Sequence, residues 1–155
     1  MRKVFLCILL ILLFFNANAQ STEPENDWLL IQKTLNLYLD GQGTGDSVKV
    51  AKSFHDSWQL KYLADNKVNI VSKSKYIKGY KTAPYPKVAN WSGRIVSIDI
   101  TNTVAAAKVE ISTPKLLFTD YFNLMKINED WFIVDKISTR SSHKTVEVPL
   151  AKAKE

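Results

Sequence analysis

Two aspartates, a histidine and a tyrosine are the side chains of this chain best suited to moving protons: Asp120, Asp135, His55 and Tyr38. The aspartates flank a short polar break, Asn128-Glu129, between two apolar-rich runs, FTDYFNLMKI and DWFIVDKI, a pattern that predicts a β-hairpin. A two-residue loop at Asn128 and Glu129 sets Leu124 opposite Ile133 and Phe122 opposite Asp135, with Asp120 one step further toward Ile137. Because strand side chains alternate, Phe118, Asp120, Phe122, Leu124, Trp131, Ile133 and Asp135 then share one surface, expected to be the concave, helix-covered one. Two carboxylates in aromatic surroundings resist ionisation through desolvation and mutual repulsion, and one of them could act as a general acid or base. A loop longer by one residue puts the two aspartates on opposite faces. Two-residue loops favour Asn-Gly, since both central residues need positive φ, so Glu129 leaves both registers open. The plainer reading of the aspartates has Asp120 bonded to backbone or a neighbouring lysine, and Asp135 in water at the sheet edge.

An imidazole can serve as acid, base or ligand near neutral pH, which makes His55 a candidate; its plainer role is to close a helix C-terminus. His143 falls in a tail without apolar period. With one usable histidine and the single cysteine at position 7, no zinc site is expected. No serine stands in a nucleophile elbow, and Gly41, Gly43 and Gly45 follow a helix, whereas a phosphate-cradling loop follows a strand. No cofactor is implied.

The elements that must carry these residues follow from periodicity. Trp28, Ile31, Leu35, Tyr38 and Leu39 recur at three- and four-residue spacings, predicting an amphipathic helix capped by Asp27 or Asn26 and ended by the three glycines. A second helix starts at Asp46 or Ser47 and is closed by Phe54-His55-Asp56. From Trp58 the period changes to alternation, and Ala64-Asp65-Asn66-Lys67 turns the chain into Val68–Val71, a short hairpin. Helical spacing returns from Ser72 to Lys81, and Pro84 and Pro86 end it. Long strands follow at Trp91–Ile100 and Val104–Ser112, then the closing hairpin. Helix, helix, hairpin, helix and meander describe an α+β domain.

Residues 1–19 pair Arg2 and Lys3 with an apolar run from Val4 to Phe15 and then Ala17-Asn18-Ala19, the pattern of a secretory signal peptide cleaved near Ala19; the alternative is an uncleaved anchor. The expected organisation is this signal, a linker over 20–26, a domain over 27–140 and a flexible tail over 141–155, with export to the periplasm or beyond. The full chain has a net charge of +6. Between Lys61 and Arg94, eight basic residues face one acid, Asp65. This local positive field could meet an anionic surface, with weak membrane contact through Lys73, Lys75, Lys78 and Lys81, or could simply be solvated. Nucleic acid is not expected, for want of an arginine cluster or a nucleic-acid motif.

The wording of the closing hairpin, Phe118-Thr119-Asp120-Tyr121 and Ile127-Asn128 before Trp131, resembles that of nuclear transport factor 2-like (SnoaL-like) domains, and most nearly their secreted lumazine-binding branch. Tyr38-Leu39-Asp40-Gly41 before Gly45-Asp46, and Phe54-His55 after the second helix, match the same pattern, while Glu129 departs from the glycine common in the final turn. The resemblance spans roughly Trp28 to Arg140. It implies a cone of three N-terminal helices on a curved, mostly antiparallel sheet with an internal pocket. Related steroid isomerases use a tyrosine at the Tyr38 position to hold an oxyanion, but their aspartate base corresponds to Lys61-Tyr62 here, so that proton shuttle does not carry over. The expected function is therefore binding of a small, partly apolar molecule without catalysis, in a pocket walled by Tyr38, Phe54, His55, Trp58, Trp91, Phe118, Asp120, Phe122 and Asp135. Two alternatives stand beside it. One is a cyclase, dehydratase or isomerase with Asp120 or His55 as base and Tyr38 orienting the substrate; the other is an accessory interaction module that forms a homodimer through its sheet and meets an anionic partner through its basic patch.

Overall fold

The closing hairpin turns on two residues, Asn128 (φ 50°) and Glu129 (φ 67°), both in the left-handed region that a tight two-residue hairpin turn demands. This is seen in a computed structural model that describes residues 23–80 and 83–143. Asp65 and Asn66 (φ 50° and 57°) make the equivalent turn of the first hairpin, where their short polar side chains suit that conformation.

The chain runs α1 (Glu23–Thr44), α2 (Ser47–Ser53), β1 (Phe54–Ala64), β2 (Lys67–Ser72), α3 (Lys73–Lys78), β3 (Ser92–Thr101), β4 (Val104–Ser112), β5 (Leu116–Ile127) and β6 (Asp130–Ser142). The six strands form one open sheet in the order β2-β1-β6-β5-β4-β3. Every neighbouring pair is antiparallel except β1 and β6, which run parallel. Two of the three described helices precede the sheet and the third is inserted after its first hairpin, so the expected set of three N-terminal helices is corrected to two plus one.

Helix α1 begins at Glu23, ahead of both expected caps, Asn26 and Asp27, and passes through Gly41 and Gly43. Gly41 is there for proximity: a Cβ on it would lie 2.5 Å from Val50 Cγ2 of α2. The helix stops at Gly45, whose φ of +66° leaves the helical region. Asp46 then caps α2 by accepting from the amides of Val48 (2.9 Å) and Lys49 (3.1 Å). Phe54, His55 and Asp56 open β1 and do not belong to the helix. Ser72 caps α3, which ends at Lys78 before Gly79; Lys81 lies outside the described residues, as do the signal segment over 1–19, residues 20–22 of the linker and the tail beyond His143, while residues 23–26 of the expected linker belong to α1. Ser141 and Ser142, expected in that tail, complete β6.

Ile31, Leu35 and Tyr38 lie on one stripe of α1 and are fully buried against the sheet, while Trp28, at the edge of that stripe, is 44% exposed. Phe54 and Trp58 of β1, Val109 of β4, Phe122 and Leu124 of β5 and Ile133 of β6 complete the core. Each of these large side chains contributes on the order of 1.5–3 kcal/mol by leaving water.

The register of β5 on β6 carries the main departure from expectation. Leu124 faces Ile133 as a two-residue turn requires, but the next pair is Asn123 with Asp135, then Phe122 with Lys136 and Asp120 with Ser138. Val134 is an extra residue, a β-bulge, and it exchanges the two faces of β6 from that point on. Asp135 is therefore corrected to the outer face, where its Oδ1 lies 2.6 Å from Lys61 Nζ, and Lys136 takes the inner position. The turn has the expected length; the slip arises within the strand.

The start of α1 is fastened to the hairpin. Trp131 Nε1–H donates to Asp27 Oδ1 (3.0 Å), Lys126 Nζ lies 3.1 Å from the same oxygen, and Thr34 Oγ1 donates to the Trp131 carbonyl (2.8 Å). The Trp131 bond, opposed by burial and aided by Lys126, holds the Asp27 carboxyl below its usual range. Its contribution to stability is thus complete above the unfolded value of about 3.9 and is lost as pH falls through the folded pKa. Asp27→Asn is expected to be less stable than wild type at pH 7 in urea titrations, with the gap narrowing below about pH 4. Glu129→Gly removes a side chain from a left-handed position at the cost of one exposed ion pair with Lys126. It is expected to raise unfolding free energy by roughly 0.5–1 kcal/mol in the same assay.

Candidate functional site

Helix α1 delivers Tyr38, β5 delivers Asp120, and the bulge in β6 brings Lys136 and Ser138 to meet them. Tyr38 Oη–H donates to Asp120 Oδ2 (2.8 Å), and Lys136 Nζ donates both to Tyr38 Oη (2.7 Å) and to Asp120 Oδ2 (2.9 Å). Ser138 Oγ–H donates to Asp120 Oδ1 (2.6 Å). Asp120 and Lys136 are 1% and 5% exposed, so this is a charge pair in the core. An aromatic cage surrounds it: the Lys136 ammonium lies 5.1 Å from the ring centre of Tyr38, 5.5 Å from that of Tyr76 and 5.9 Å from that of Phe122, distances at which the ring faces attract a cation. Tyr76 is held in turn by Gln42 Nε2, which donates to its hydroxyl (2.6 Å).

Burial works against the Lys136 ammonium, yet the Tyr76 hydroxyl and the Asp120 carboxylate beside it prevail and hold its pKa above the ordinary lysine value. Burial, then the negative potential of Tyr76 and Asp120, pushes the Tyr38 hydroxyl well above the usual phenol range. Tyr38 thus stays protonated with its one hydrogen committed to Asp120, and is not a free donor for a developing oxyanion.

The other expected site residues lie apart from this centre or are packed solid. Phe54 stacks on Trp58 (ring centres 4.0 Å apart, 9° between planes), and Tyr38 meets Phe122 edge-on at 5.0 Å, so these four rings fill the space between helices and sheet. His55 sits in the irregular stretch of β1 between the Phe54–Ile133 and Gln59–Asp135 pairs. Its Nδ1 accepts from the Ser57 amide (3.2 Å), which places any neutral-ring proton on Nε2, and its ring lies edge-on to Phe132, whose strand neighbours Trp131 and Ile133 point inward. Trp91 is half-buried near the end of α1, with Lys87 Nζ 4.5 Å from its ring centre. No group of three His, Cys, Asp or Glu side chains among the described residues could hold a metal ion.

Open space lies next to the charge pair. Beyond the Tyr62–Ser138 pair the ladder between β1 and β6 ends, and a cleft of about 880 Å³ opens there. Leu60, Tyr62, Phe118, Ile137, Ser138 and Arg140 line it, with Lys61, Leu63, Ala64, Val68 and Thr139. Of the expected pocket walls only Phe118 is among them. Ser138 joins the two regions: its hydroxyl bonds Asp120, and the residue lines the cleft. Lys136, Ser138 and Arg140 escape a sequence reading that assumes unbroken alternation. The one available signal is chemical: a buried Asp120 needs a cation on a neighbouring strand, and Lys136 lies one residue from the inward register.

The three described helices with an open, mixed six-stranded sheet in this strand order place the domain in the nuclear transport factor 2-like class of α+β folds. A nuclear transport factor 2-like protein of unknown function from Shewanella baltica OS155 is 24% identical, with a TM-score of 0.70 over 79% of this chain and 98% of that one. A similar protein of unknown function from Methylobacillus flagellatus KT is 27% identical, with a TM-score of 0.60 over 80% and 96%. A ketosteroid isomerase-like protein from Erwinia carotovora atroseptica is 14% identical, with a TM-score of 0.57 over 74% and 96%, a likeness of fold alone. None of the curated proteins matches. The chain belongs to the family described as "Putative lumazine-binding", which matches residues 26–138.

Removing one member of a buried charge pair strands the other. Lys136→Met is expected to cost about 3–5 kcal/mol of unfolding free energy. The double variant Asp120→Asn, Lys136→Met removes the orphaned charge; its amide keeps one acceptor oxygen, and its NH2, in place of the other, can donate to the hydroxyl no longer approached by Lys136. It is expected to be at least about 1 kcal/mol more stable than Lys136→Met alone, measured by urea titration.

Proposed function

We propose that this chain is an exported small-molecule-binding protein that holds a partly apolar ligand in the cleft between β1 and β6 without transforming it. The observation that carries this reading is the cleft itself, about 880 Å³, with Leu60, Leu63, Val68, Phe118 and Ile137 as apolar walls and Lys61, Tyr62, Ser138, Thr139 and Arg140 as polar groups between them. The family's description as lumazine-binding supports a small molecule as ligand. Export rests on the signal-like pattern of residues 1–19.

Binding is favoured over turnover by the state of the titratable groups. Both carboxylate oxygens of Asp120 already accept hydrogen bonds, from Tyr38, Lys136 and Ser138. A base in that position would have to surrender bonds in the core before it could take a substrate proton. Asp135 is paired with Lys61, and His55 is engaged with Ser57 beside the outward Phe132.

The test uses lumazine and 1-anilinonaphthalene-8-sulfonate, each followed by its own fluorescence. At least one is expected to saturate at one site per chain. Ala64→Trp, which places bulk in the cleft from an exposed position, is expected to weaken that binding about tenfold with little change in melting temperature. If neither probe saturates, or if Ala64→Trp leaves the affinity unchanged, the ligand does not sit here.

A further inference from the structure

We propose that the cleft selects an apolar-bodied organic carboxylate bearing a hydroxyl or N–H group, with Arg140 holding the carboxylate and Ser138 reading the donor; this rests on the cleft reading above. The polarity of the two positions follows from bonds already made. Ser138 has one hydroxyl hydrogen, and it points to Asp120 Oδ1 at 2.6 Å. An ionised carboxylate can only accept, so the hydroxyl cannot turn its hydrogen toward the cleft without breaking that bond. What Ser138 offers the cleft is lone pairs, and a ligand satisfies them only by donating.

Arg140 offers the reverse. It borders the cleft, it is exposed, and no carboxylate among the described residues lies within ion-pairing distance of it. The other cation at the cleft, Lys61, is already committed to Asp135 at 2.6 Å. A guanidinium presents a planar fork that fits a carboxylate with two parallel bonds, and such charge-assisted bonds are the stronger kind. Ser138 and Arg140 stand two residues apart on the same face of β6, about 7 Å along the strand. The ligand therefore carries its donor and its anion at opposite ends of a rigid body roughly that long, with Leu60, Tyr62 and Phe118 against the apolar part between them.

Three fluorescent probes separate the terms: 6-hydroxy-2-naphthoate, its methyl ester, which lacks the charge, and 2-naphthoate, which lacks the donor. Wild type is expected to bind the hydroxy acid about tenfold or more tighter than the ester, and a few-fold tighter than 2-naphthoate. Arg140→Gln, at an exposed site, should remove the preference for acid over ester while leaving ester affinity within about twofold. Ser138→Ala should abolish the preference for the hydroxylated acid; should that variant fold poorly, the comparison of probes on wild type still measures the donor. Equal affinity for acid and ester, or an Arg140→Gln effect shared by both, overturns the inference and leaves cleft binding intact. Failure of all three probes to bind also overturns it, and the lumazine and anilinonaphthalene titrations then decide separately whether the cleft binds anything.

Discussion

The structure depends on keeping one ammonium and one carboxylate in the core. Lys136 and Asp120 are both almost fully removed from water, and moving an ion out of water costs several kcal/mol even after relaxation. That penalty is tolerable only if every lone pair and hydrogen finds a partner. Tyr38 from α1, Ser138 from β6, and the ring faces of Tyr76 from α3 and Phe122 from β5 supply them. The pair thus constrains four elements at once: α1 must cross the sheet where its hydroxyl reaches Asp120, and α3 must fold back over β1. Apolar packing alone would permit small shifts among these elements that the pair does not.

The bulge at Val134 is the backbone device that makes the pair available. Without it, Asp135 would share the inner face with Asp120, and two carboxylates would sit in an aromatic core with the nearest lysine turned outward. With it, the inner face reads Trp131, Ile133, Lys136, Ser138, Arg140: apolar under the helices, charged at the centre, polar toward the cleft. One extra residue thereby decides both what neutralises Asp120 and what the cleft presents to a ligand. Bulges commonly occur where a strand must re-aim a side chain, and this one re-aims three.

The fold was legible in the sequence because its signals are local and redundant. Ile31, Leu35 and Tyr38 declare a helix by spacing, Asp46 declares a cap by chemistry, and Asp65-Asn66 and Asn128-Glu129 declare turns by position. The site was legible only in part. Tyr38, Asp120 and Phe122 do meet at its centre, and Asp120 does bond a lysine, as its plainer reading allowed; which lysine was hidden, because a bulge leaves no mark in alternation until its consequence is seen. Asp135 was misplaced for the same reason. Phe54 and Trp58 illustrate a different limit: an aromatic on an inward position can wall a cavity or fill it, and only the packing of neighbouring rings decides. Here they stack face to face and fill it.

The parallel pairing of β1 with β6 carries a consequence for how the molecule comes to exist. Residues 54–62 of the first strand pair with residues 133–138 of the last, across the middle of the sheet. The β3-β4-β5 meander can form from neighbours in sequence, and so can the β1-β2 hairpin, but neither has a complete sheet to join until the final strand has been made. Closing a loop of that length carries an entropy cost that must be met before its contacts repay it. The aromatic rings of β1 and β5 stay without their shared core until β6 joins the two halves. β6 is thus the strand that completes the sheet.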